Sequence, residues 1–362
     1  MLLKIIYYME DLKMKRLIYF LLISTLILFV CFTANAESYK FRVAYTDAPR
    51  LQIGDEKLIH VTVAAVYAFE DNINRLTGGA FEVDFKHSGV LGGQIETIDQ
   101  VQEGIIEATT PAIPALAGYF PNMQVLSIPY LFDNPAIAWE VWDGEFGQEI
   151  FEQMAKETGL RIITIFDNGG YRNFTNNVRP IKKPADMKGL KFRTMESPAQ
   201  MKIVESLGGS PTPIAWTELY TSLQTGVVDG EENSPATIIA GSLQEVQKYY
   251  TIDQHTLSTA VIVVSEKWFQ SLPDDIKNKV KVAGKVASVA GRGAAYANNK
   301  VAMKLLSESM EIYYPTPEER AAFREVAQPV VLEWMRANDK IDNHWIDKIL
   351  KAVEEAEKKL GL

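Results

Sequence analysis

One stretch of the sequence, GGYRNFTNNVRPIKKPADMKGLKFRTMESPAQMKIVESLGGSPTPIAWTELYTSLQTGVVDGEEN at residues 169–233, does most to decide the fold and the site. Inside an α/β pattern it places two arginines, Arg172 and Arg193, near an aromatic residue, Trp216, and an amide, Asn233. No nucleophile paired with a base and no metal-ligand cluster accompanies them. Fixed cations beside an aromatic wall suit a small organic anion that is held and released unchanged.

The amino terminus has the pattern of an export signal. Met14 is followed by Lys15-Arg16, then by an apolar run over residues 17–30 and by Ala34-Asn35-Ala36, which has the small residues of a cleavage site. The apolar run is too short for a comfortable membrane span. We therefore predict a signal peptide that is cleaved before Glu37 and directs the chain to the periplasm. The alternative is an uncleaved anchor.

Cysteine content and charge exclude several classes of protein. Cys31 is the only cysteine and belongs to the predicted signal peptide, residues 1–36, so the mature chain has no disulfide, thiol catalysis or cysteine metal site. Removing four basic and two acidic residues from 37 and 46 leaves 33 and 44, a net charge of −11. Such a chain binds nucleic acid and anionic lipid poorly, so we expect neither as partner, and no membrane insertion after cleavage.

The mature chain alternates between strand and helix patterns. Residues 41–45 alternate apolar and polar side chains as strands do, whereas apolar residues recur every three or four positions over residues 59–76, a helical pattern that ends at Gly78-Gly79. Residues 160–166 and 258–265 are short, nearly continuous apolar runs typical of buried strands. The fold class is therefore α/β, and a length of about 326 residues suggests two lobes.

The last third of the chain is mostly helical. Residues 274–310 form an Ala-rich helical pattern without a proline, and a single helix of that length would extend about 50 Å and span more than one lobe. The alternative is two helices with a bend near Gly291 or Gly293. A short strand at residues 311–314 and two helices, 318–337 and 341–360, are predicted to follow.

Six motifs carry a resemblance to a known family. They are Leu91-Gly-Gly-Gln94, Ile128-Pro-Tyr-Leu-Phe132, Gly170-Tyr-Arg-Asn-Phe174, Arg179-Pro-Ile-Lys182, Pro184-Ala-Asp-Met-Lys-Gly-Leu-Lys-Phe-Arg193 and Glu218-Leu-Tyr-Thr-Ser-Leu-Gln-Thr-Gly-Val-Val-Asp-Gly-Glu-Glu-Asn233. Each is weak alone, but their order and spacing are specific. The chain resembles the solute-binding subunits of TRAP transporters, the DctP-like extracytoplasmic receptors, over essentially the whole mature sequence.

The resemblance implies a two-lobed periplasmic-binding-protein-like fold with a ligand cleft between the lobes and a long helix that spans both. By analogy, one lobe comprises residues 37–168 plus 257–298 and the other residues 169–256 plus 299–362. Such receptors close on an organic acid, for example a dicarboxylate, and deliver it to a cation-coupled membrane permease. An alternative is a sensor that reports ligand binding to a membrane kinase.

The resemblance also assigns the two arginines. Arg193 falls where the family clamps a carboxylate, and its planar fork matches the two carboxylate oxygens. Arg172 falls where relatives often place a second arginine that contacts the ligand. The alternatives are a solvated strand residue for Arg193, which the residues alone would favour, and a surface ion pair for Arg172.

Two further ligand contacts are implied in the same half of the chain. Asn233 ends the last motif, although Glu231 stands where the family has glutamine and Ser234 where it has proline. Trp216 falls where relatives place an aromatic residue against the ligand, just before a helix that Thr217 could cap. The alternatives are a turn or cap role for Asn233 and core packing for Trp216.

The opposite wall of the cleft is less legible. Gln94, Thr109 and Thr110 fall where relatives line it, and Tyr45 follows the first strand. For all four, a structural role is the alternative. No acidic residue in this part of the sequence obviously selects an amino group or a sugar.

Nothing in the sequence points to catalysis. The four histidines have no metal-ligand or catalytic spacing, and Glu231 and Glu232 are adjacent, so that on a strand they point to opposite faces. We therefore predict no cofactor, no bound metal and no enzymatic activity, and we keep a secreted enzyme only as a remote alternative.

Overall fold

The structure is a computed structural model that describes residues 16, 19–20, 38–49, 51–53 and 56–362, with the backbone alone at residues 51–53 and 56–58. Apart from Arg16, Tyr19 and Phe20, the predicted signal peptide lies outside the described residues. So do Cys31 and the predicted mature start at Glu37.

Eleven strands form two sheets in the described chain. The strands are β1 (Tyr39–Ala44), β2 (Leu51–Ile53), β3 (Glu56–Leu58), β4 (Phe81–Lys86), β5 (Ala108–Thr109), β6 (Leu160–Asn176), β7 (Lys191–Thr194), β8 (Ser210–Pro213), β9 (Gly230–Asn233), β10 (Tyr249–Ser265) and β11 (Glu311–Tyr313). The main sheet has the order β4-β1-β5-β10-β6-β9-β7-β8, with β11 on β10. Strands β2 and β3 form a separate hairpin.

Eleven α-helices surround the main sheet in the described part of the chain. They are α1 (Val61–Thr77), α2 (Gln94–Gln102), α3 (Pro135–Asp143), α4 (Glu145–Thr158), α5 (Pro198–Ser206), α6 (Trp216–Gln224), α7 (Pro235–Ala240), α8 (Glu266–Ser271), α9 (Asp274–Ser309), α10 (Pro317–Ala337) and α11 (Asn343–Leu360). No helix in the described residues is both long enough and apolar enough to span a membrane.

The two central strands, β6 and β10, connect the ends of the main sheet. Both have 17 residues and run antiparallel to each other. The first half of β6 pairs with the part of β10 beside β5, and its second half pairs with β9. The predicted strands at 160–166 and 258–265 are therefore confirmed but too short. The strand pattern continues past Gly169-Gly170, where both residues have positive φ angles of 91° and 88°.

Helix α9 is the predicted spine. It is continuous over 36 residues, which corresponds to about 54 Å, so the alternative with a bend is wrong. Its first half packs into the core that contains Phe41 and Phe69, and its second half packs into a separate core with Leu219 and Tyr250. One rigid helix thus joins the cores at the two ends of the sheet.

The glycines in α9 allow the helix to pack closely and do not bend it. A side chain at Gly284 would come within 2.4 Å of the Ile163 carbonyl oxygen, and one at Gly291 within 2.7 Å of the Phe166 ring. Between them, the Ser288 hydroxyl donates a hydrogen bond to the Ile165 carbonyl oxygen at 2.7 Å. These positions share a helix face, so the glycines allow α9 to lie directly on β6.

The close approach predicts opposite effects for two glycine substitutions in α9. Gly284→Ala should lower the free energy of unfolding by about 1–3 kcal/mol, because the added methyl group would overlap a backbone carbonyl. Gly293→Ala is the matched control, since nothing lies within 4 Å of its added methyl group and alanine favours the helix by about 1 kcal/mol. Urea unfolding measures both. Equal stability of the two variants would contradict this packing.

Candidate ligand-binding site

Most of the predicted contacts surround one small cavity at the centre of the main sheet. Six of the eight predicted site residues line it: Gln94, Thr110, Arg172, Arg193, Trp216 and Asn233. The wall also includes residues that the sequence did not suggest, among them Asp47, Thr62, Asn168, Met195 and Thr237. The cavity volume is about 30 Å³, room for one or two water molecules. The side chains around the cavity are therefore packed closely against one another.

Arg193 is a buried cation without a direct ion pair in the described part of the chain. It lies on β7, where Lys191 is exposed but Arg193 is only 2% exposed, so it is not a solvated strand residue. Its Nε donates to the Ile214 carbonyl oxygen at 2.8 Å. Among the described residues, no carboxylate oxygen lies within 4.0 Å of its guanidinium. Burial, and then repulsion from Arg172, lower the pKa of Arg193 to about 10.

Arg172 is buried to the same degree but is neutralised within the protein. Its Nε and Nη2 donate to the two carboxylate oxygens of Glu232 at 2.5 and 2.7 Å, and Nη2 also donates to the Glu232 carbonyl oxygen. Its Nη1 lies 3.5 Å from the Ser258 hydroxyl. The ion pair is buried rather than on the surface, with side chains 4% and 1% exposed. One edge of the guanidinium is thus used by Glu232.

Sequence reasoning missed a chain of buried charges behind Arg172. His255 Nε2 lies 3.1 Å from the Glu232 carboxylate, and its Nδ1 lies 2.9 Å from Asp253. The Tyr130 hydroxyl donates to the same Asp253 carboxylate at 2.9 Å. Glu232, His255 and Tyr130 are far apart in the sequence, so no local spacing predicts that they belong to one chain of contacts. Only the Asp253-Gln254-His255 order, with Gln254 at a φ of 56°, marks the irregularity in β10.

The partners in this chain stabilise each other's charged forms. Burial alone would raise the pKa of Glu232, but Arg172 and His255 outweigh it and lower that pKa to about 2. Burial alone would lower the pKa of His255, but Asp253 and Glu232 outweigh it and raise that pKa to about 9. Near neutral pH, two buried cations therefore face two buried carboxylates.

Asn233 and the neighbouring glutamate form a second buried contact. Asn233 Nδ2 donates to Glu231 at 2.6 Å, and the Thr175 hydroxyl lies 3.0 Å from the same carboxylate. Burial and the nearby Glu232 raise the pKa of Glu231 to about 7. As strand alternation predicts, Glu231 and Glu232 reach different partners. Asn233 lies at the end of β9 and does not cap a helix.

Trp216 forms the aromatic part of the wall. It is the first residue of α6 and is half-buried. The residue before it, Ala215, occupies the cap position, so the prediction that Thr217 caps this helix is wrong. Trp216 also packs against the core that contains Leu219, so it contributes to both the cavity and the fold.

The structure brings only part of the predicted opposite wall to the cavity. Gln94 begins α2 and accepts a hydrogen bond from the Ala112 amide at 2.9 Å, and the buried Thr110 hydroxyl has no partner. Thr109, by contrast, donates to the Thr97 hydroxyl at 2.8 Å and does not line the cavity, because adjacent residues on an extended chain face opposite sides. Tyr45 is 2% exposed and also lies off the wall.

Asp47 is the acidic residue that sequence reasoning did not find in this wall. It lines the cavity together with Arg193, and its carboxylate lies 3.4 Å from His60 Nδ1. Nearby, Asn168 Oδ1 is buried without a hydrogen-bond partner in the described chain. The cavity wall therefore combines the Arg193 guanidinium with two groups that accept hydrogen bonds, the Asp47 carboxylate and Asn168 Oδ1. Within the described residues, no group of three His, Cys, Asp or Glu side chains is arranged so that it could hold a metal ion.

Comparison with known proteins identifies the family. The family described as DctP, bacterial extracellular solute-binding protein family 7, matches residues 56–338, so the chain belongs to it. A solute-binding protein of Verminephrobacter eiseniae is 34% identical over 224 residues, 62% of this chain and 66% of that protein. The C4-dicarboxylate-binding periplasmic protein DctP of Rhodobacter capsulatus is 29% identical over 72% of this chain and 79% of its own length.

A solved structure confirms the fold class. The sugar-acid-binding protein DctPAm of Advenella mimigardefordensis, in complex with galactonate, matches with a TM-score of 0.81 and 29% identity. The match covers 89% of this chain and 100% of that one. The chain thus has the two-lobed fold of TRAP periplasmic solute-binding proteins, and its family consists of receptors rather than enzymes. The secreted enzyme considered from the sequence is excluded.

The His255 chain predicts a pH dependence of stability. The pKa of His255 is raised from 6.5 to about 9 in the folded protein, so its stabilisation is complete below pH 6.5 and is lost as pH rises through 9. Urea unfolding of the native protein and of His255→Gln should therefore give a stability difference that falls by about 2–3 kcal/mol between pH 6 and pH 9.5. His344→Gln, which removes an exposed histidine, is the control. A constant difference for His255→Gln would contradict the charge assignment.

Proposed function

We propose that this chain is the extracytoplasmic receptor of a TRAP transporter and binds a small organic acid through Arg193. The observation that carries this proposal is the buried guanidinium with no carboxylate oxygen of the described chain within 4.0 Å. A charge removed from water is costly unless it is paired, and a ligand carboxylate would supply the missing pair. The planar fork also fixes the orientation of the carboxylate through two parallel hydrogen bonds.

The other residues of the cavity wall each have a separate role in the proposed binding. Arg172 keeps its pairing with Glu232 and presents Nη1, which has only a long contact with Ser258, toward the ligand. Trp216 excludes water beside the ion pair, which strengthens the electrostatic attraction. Asn233 offers a polar contact without adding charge. Thr109 and Tyr45 are not part of this proposal, because they do not line the cavity.

The chemistry of the opposite wall favours an acid that carries hydroxyl groups. Asp47 is a carboxylate acceptor, Asn168 Oδ1 and the Thr110 hydroxyl have no hydrogen-bond partner, and all three line the cavity with Arg193. Ligand hydroxyls would satisfy these acceptors, whereas a second carboxylate would be repelled by Asp47. The galactonate complex of the similar Advenella protein is consistent with this class of ligand. We therefore place hydroxylated acids, such as sugar acids, ahead of simple dicarboxylates.

Ligand entry requires the lobes to separate. A cavity of about 30 Å³ is far smaller than an organic acid needs, so the arrangement resembles a closed state. We propose lobes of residues 37–168 plus 257–298 and 169–256 plus 299–362. The hinge would lie at the crossing, by which we mean the part of β6 and β10 that passes from one lobe to the other. The positive φ angles at Gly169-Gly170 and the shift in pairing beyond Thr256 lie at this crossing. Helix α11 packs on α3 and α4, so it would link the two lobes.

Location and partner complete the proposal. Membership in an extracellular solute-binding family supports export to the periplasm and delivery of the ligand to a cation-coupled membrane permease. The mass of the exported protein tests the predicted cleavage: a chain that begins at Glu37 supports it, and a chain that keeps the apolar run would contradict it. A sensor for a membrane kinase has no observation in its favour.

Removing the Arg193 guanidinium should abolish tight binding without unfolding the protein. We expect Arg193→Ala to weaken binding of galactonate, or of the best acid in a calorimetric screen, by at least about 100-fold, because a buried charge pair would be lost. Arg193→Lys should lose about 10-fold, since an ammonium cannot form the bidentate contact. Lys191→Ala, an exposed cation on the same strand, is the control. Unchanged affinity in folded Arg193→Ala would remove the central assignment.

The Asp47 carboxylate should set the preference among acids. In Asp47→Asn we expect binding of galactonate to weaken while binding of succinate stays the same or improves, because a hydroxyl acceptor is weakened and a repulsive charge is removed. The ratio of the two affinities should fall by about 10-fold, measured by calorimetry on both ligands. Asp84→Asn, an exposed acid on β4, controls for net charge. A ratio that does not change would show that Asp47 does not contact the ligand.

A further inference from the structure

A second, larger cavity lies on the opposite face of the crossing strand β6. Tyr171 and Asn173 line this cavity, whereas Arg172 between them lines the acid-binding cavity, as strand alternation requires. Its volume is about 410 Å³, within the range of small-molecule sites. Nothing in the proposed binding of an organic acid uses this space.

The walls of the second cavity are mainly apolar and aromatic. Tyr296 and Met303 come from the spine helix α9, Tyr171 and Ile252 from the crossing strands β6 and β10, and Tyr314 from the segment after β11. Tyrosine rings present negatively polarised faces to a bound group. An apolar body would therefore be accepted here, and a positive charge would be favoured at the ring faces.

Two buried acceptors in the same wall lack hydrogen-bond partners among the residues that the structure describes. Asp167 is 1% exposed; its Oδ2 accepts from Trp139 Nε1 at 2.8 Å, but its Oδ1 has no partner. Asn299 Oδ1 is likewise buried and unpartnered. Buried polar atoms are almost always satisfied, so each of these marks a contact that something else completes. Both atoms accept, so the missing group is a hydrogen-bond donor.

The nearest cation does not fill this role. Arg292 attracts Asp167, but its guanidinium donates to both carboxylate oxygens of Asp143 at 2.7 and 2.8 Å, and it lines a different cavity. Among the described residues, no cationic nitrogen lies within 4.0 Å of the Asp167 carboxylate. The carboxylate therefore has one neutral hydrogen bond and no ion pair.

We propose that this cavity is a second ligand site, which binds a small organic cation with its ammonium group on Asp167 and Asn299 and its apolar body against the tyrosines. An ammonium group supplies donors to both orphaned oxygens and neutralises the buried carboxylate. Burial raises the pKa of Asp167 to about 6, which reflects the cost of a carboxylate without a cation, and a bound cation removes that cost. A neutral polar ligand would satisfy the acceptors but leave the charge unpaired.

Calorimetry with benzylamine, an ammonium on an aromatic body, tests the site. The native protein at pH 7.5 should bind it with a dissociation constant of about 1 mM or tighter, as its small size allows. Benzyl alcohol, which has the same shape without the charge, should bind at least about 10-fold more weakly. Because this comparison uses the unchanged protein, it does not depend on any variant folding.

Three variants locate the binding. Asp167→Asn should weaken benzylamine by at least about 10-fold, and Tyr296→Ala, at a half-exposed position, by about 3-fold or more. Asp71→Asn removes one equally negative charge from the exposed face of α1 and should leave binding unchanged. Arg193→Ala should also bind benzylamine normally, which separates this site from the acid-binding one. Absence of benzylamine binding in the native protein, equal binding of benzyl alcohol, or full binding by folded Asp167→Asn would each overturn the proposal.

Discussion

A guanidinium buried without an ion pair among the described residues is the constraint on which the proposed site depends. The two buried arginines show the contrast: Arg172 is held by both oxygens of Glu232, whereas Arg193 has only the Ile214 carbonyl oxygen. A fully paired arginine is stable without a ligand and keeps the wall in place. An unpaired one is costly until an anion arrives. In the proposed mode of binding, Arg172 therefore organises the wall and Arg193 pairs with the ligand carboxylate.

The scaffold explains how these charges come together. Strands β6 and β10 are shared by both ends of the sheet, so residues from both ends reach one cavity. The contacts of His255 with Asp253 and Glu232 stabilise these strands where they pass between the ends. The spine helix α9 packs into two separate cores and lies directly on β6 through its glycines. In the proposed opening, motion would be confined to the crossing. An opening there would separate the two walls around Arg193 while each core stayed intact.

Local patterns in the sequence predicted the elements well. The helical period from Ile59 to Leu76 became α1, and the long Ala-rich pattern became a single helix. Arg172, Arg193, Trp216 and Asn233, to which the family motifs point, line one cavity, and their contact with a ligand stays a prediction. What the sequence did not reveal is the side that each residue faces and the contacts across the fold. Thr109 does not line the cavity because its neighbour Thr110 faces it, and Asp47 reaches the cavity from an irregular loop. His255 contacts Glu232 at a sequence separation of 23 residues, and Tyr130 contacts Asp253 at a separation of 123 residues. No periodicity in the sequence predicts contacts at these separations.

A crystal structure with a bound acid tests the central claim most directly. The complex is expected to show two carboxylate oxygens of the ligand on the Arg193 guanidinium, at distances of about 2.7–2.9 Å, with Glu232 still on Arg172. The claim is contradicted if the ligand carboxylate lies elsewhere, or if Arg193 in the complex turns to a carboxylate of the protein itself.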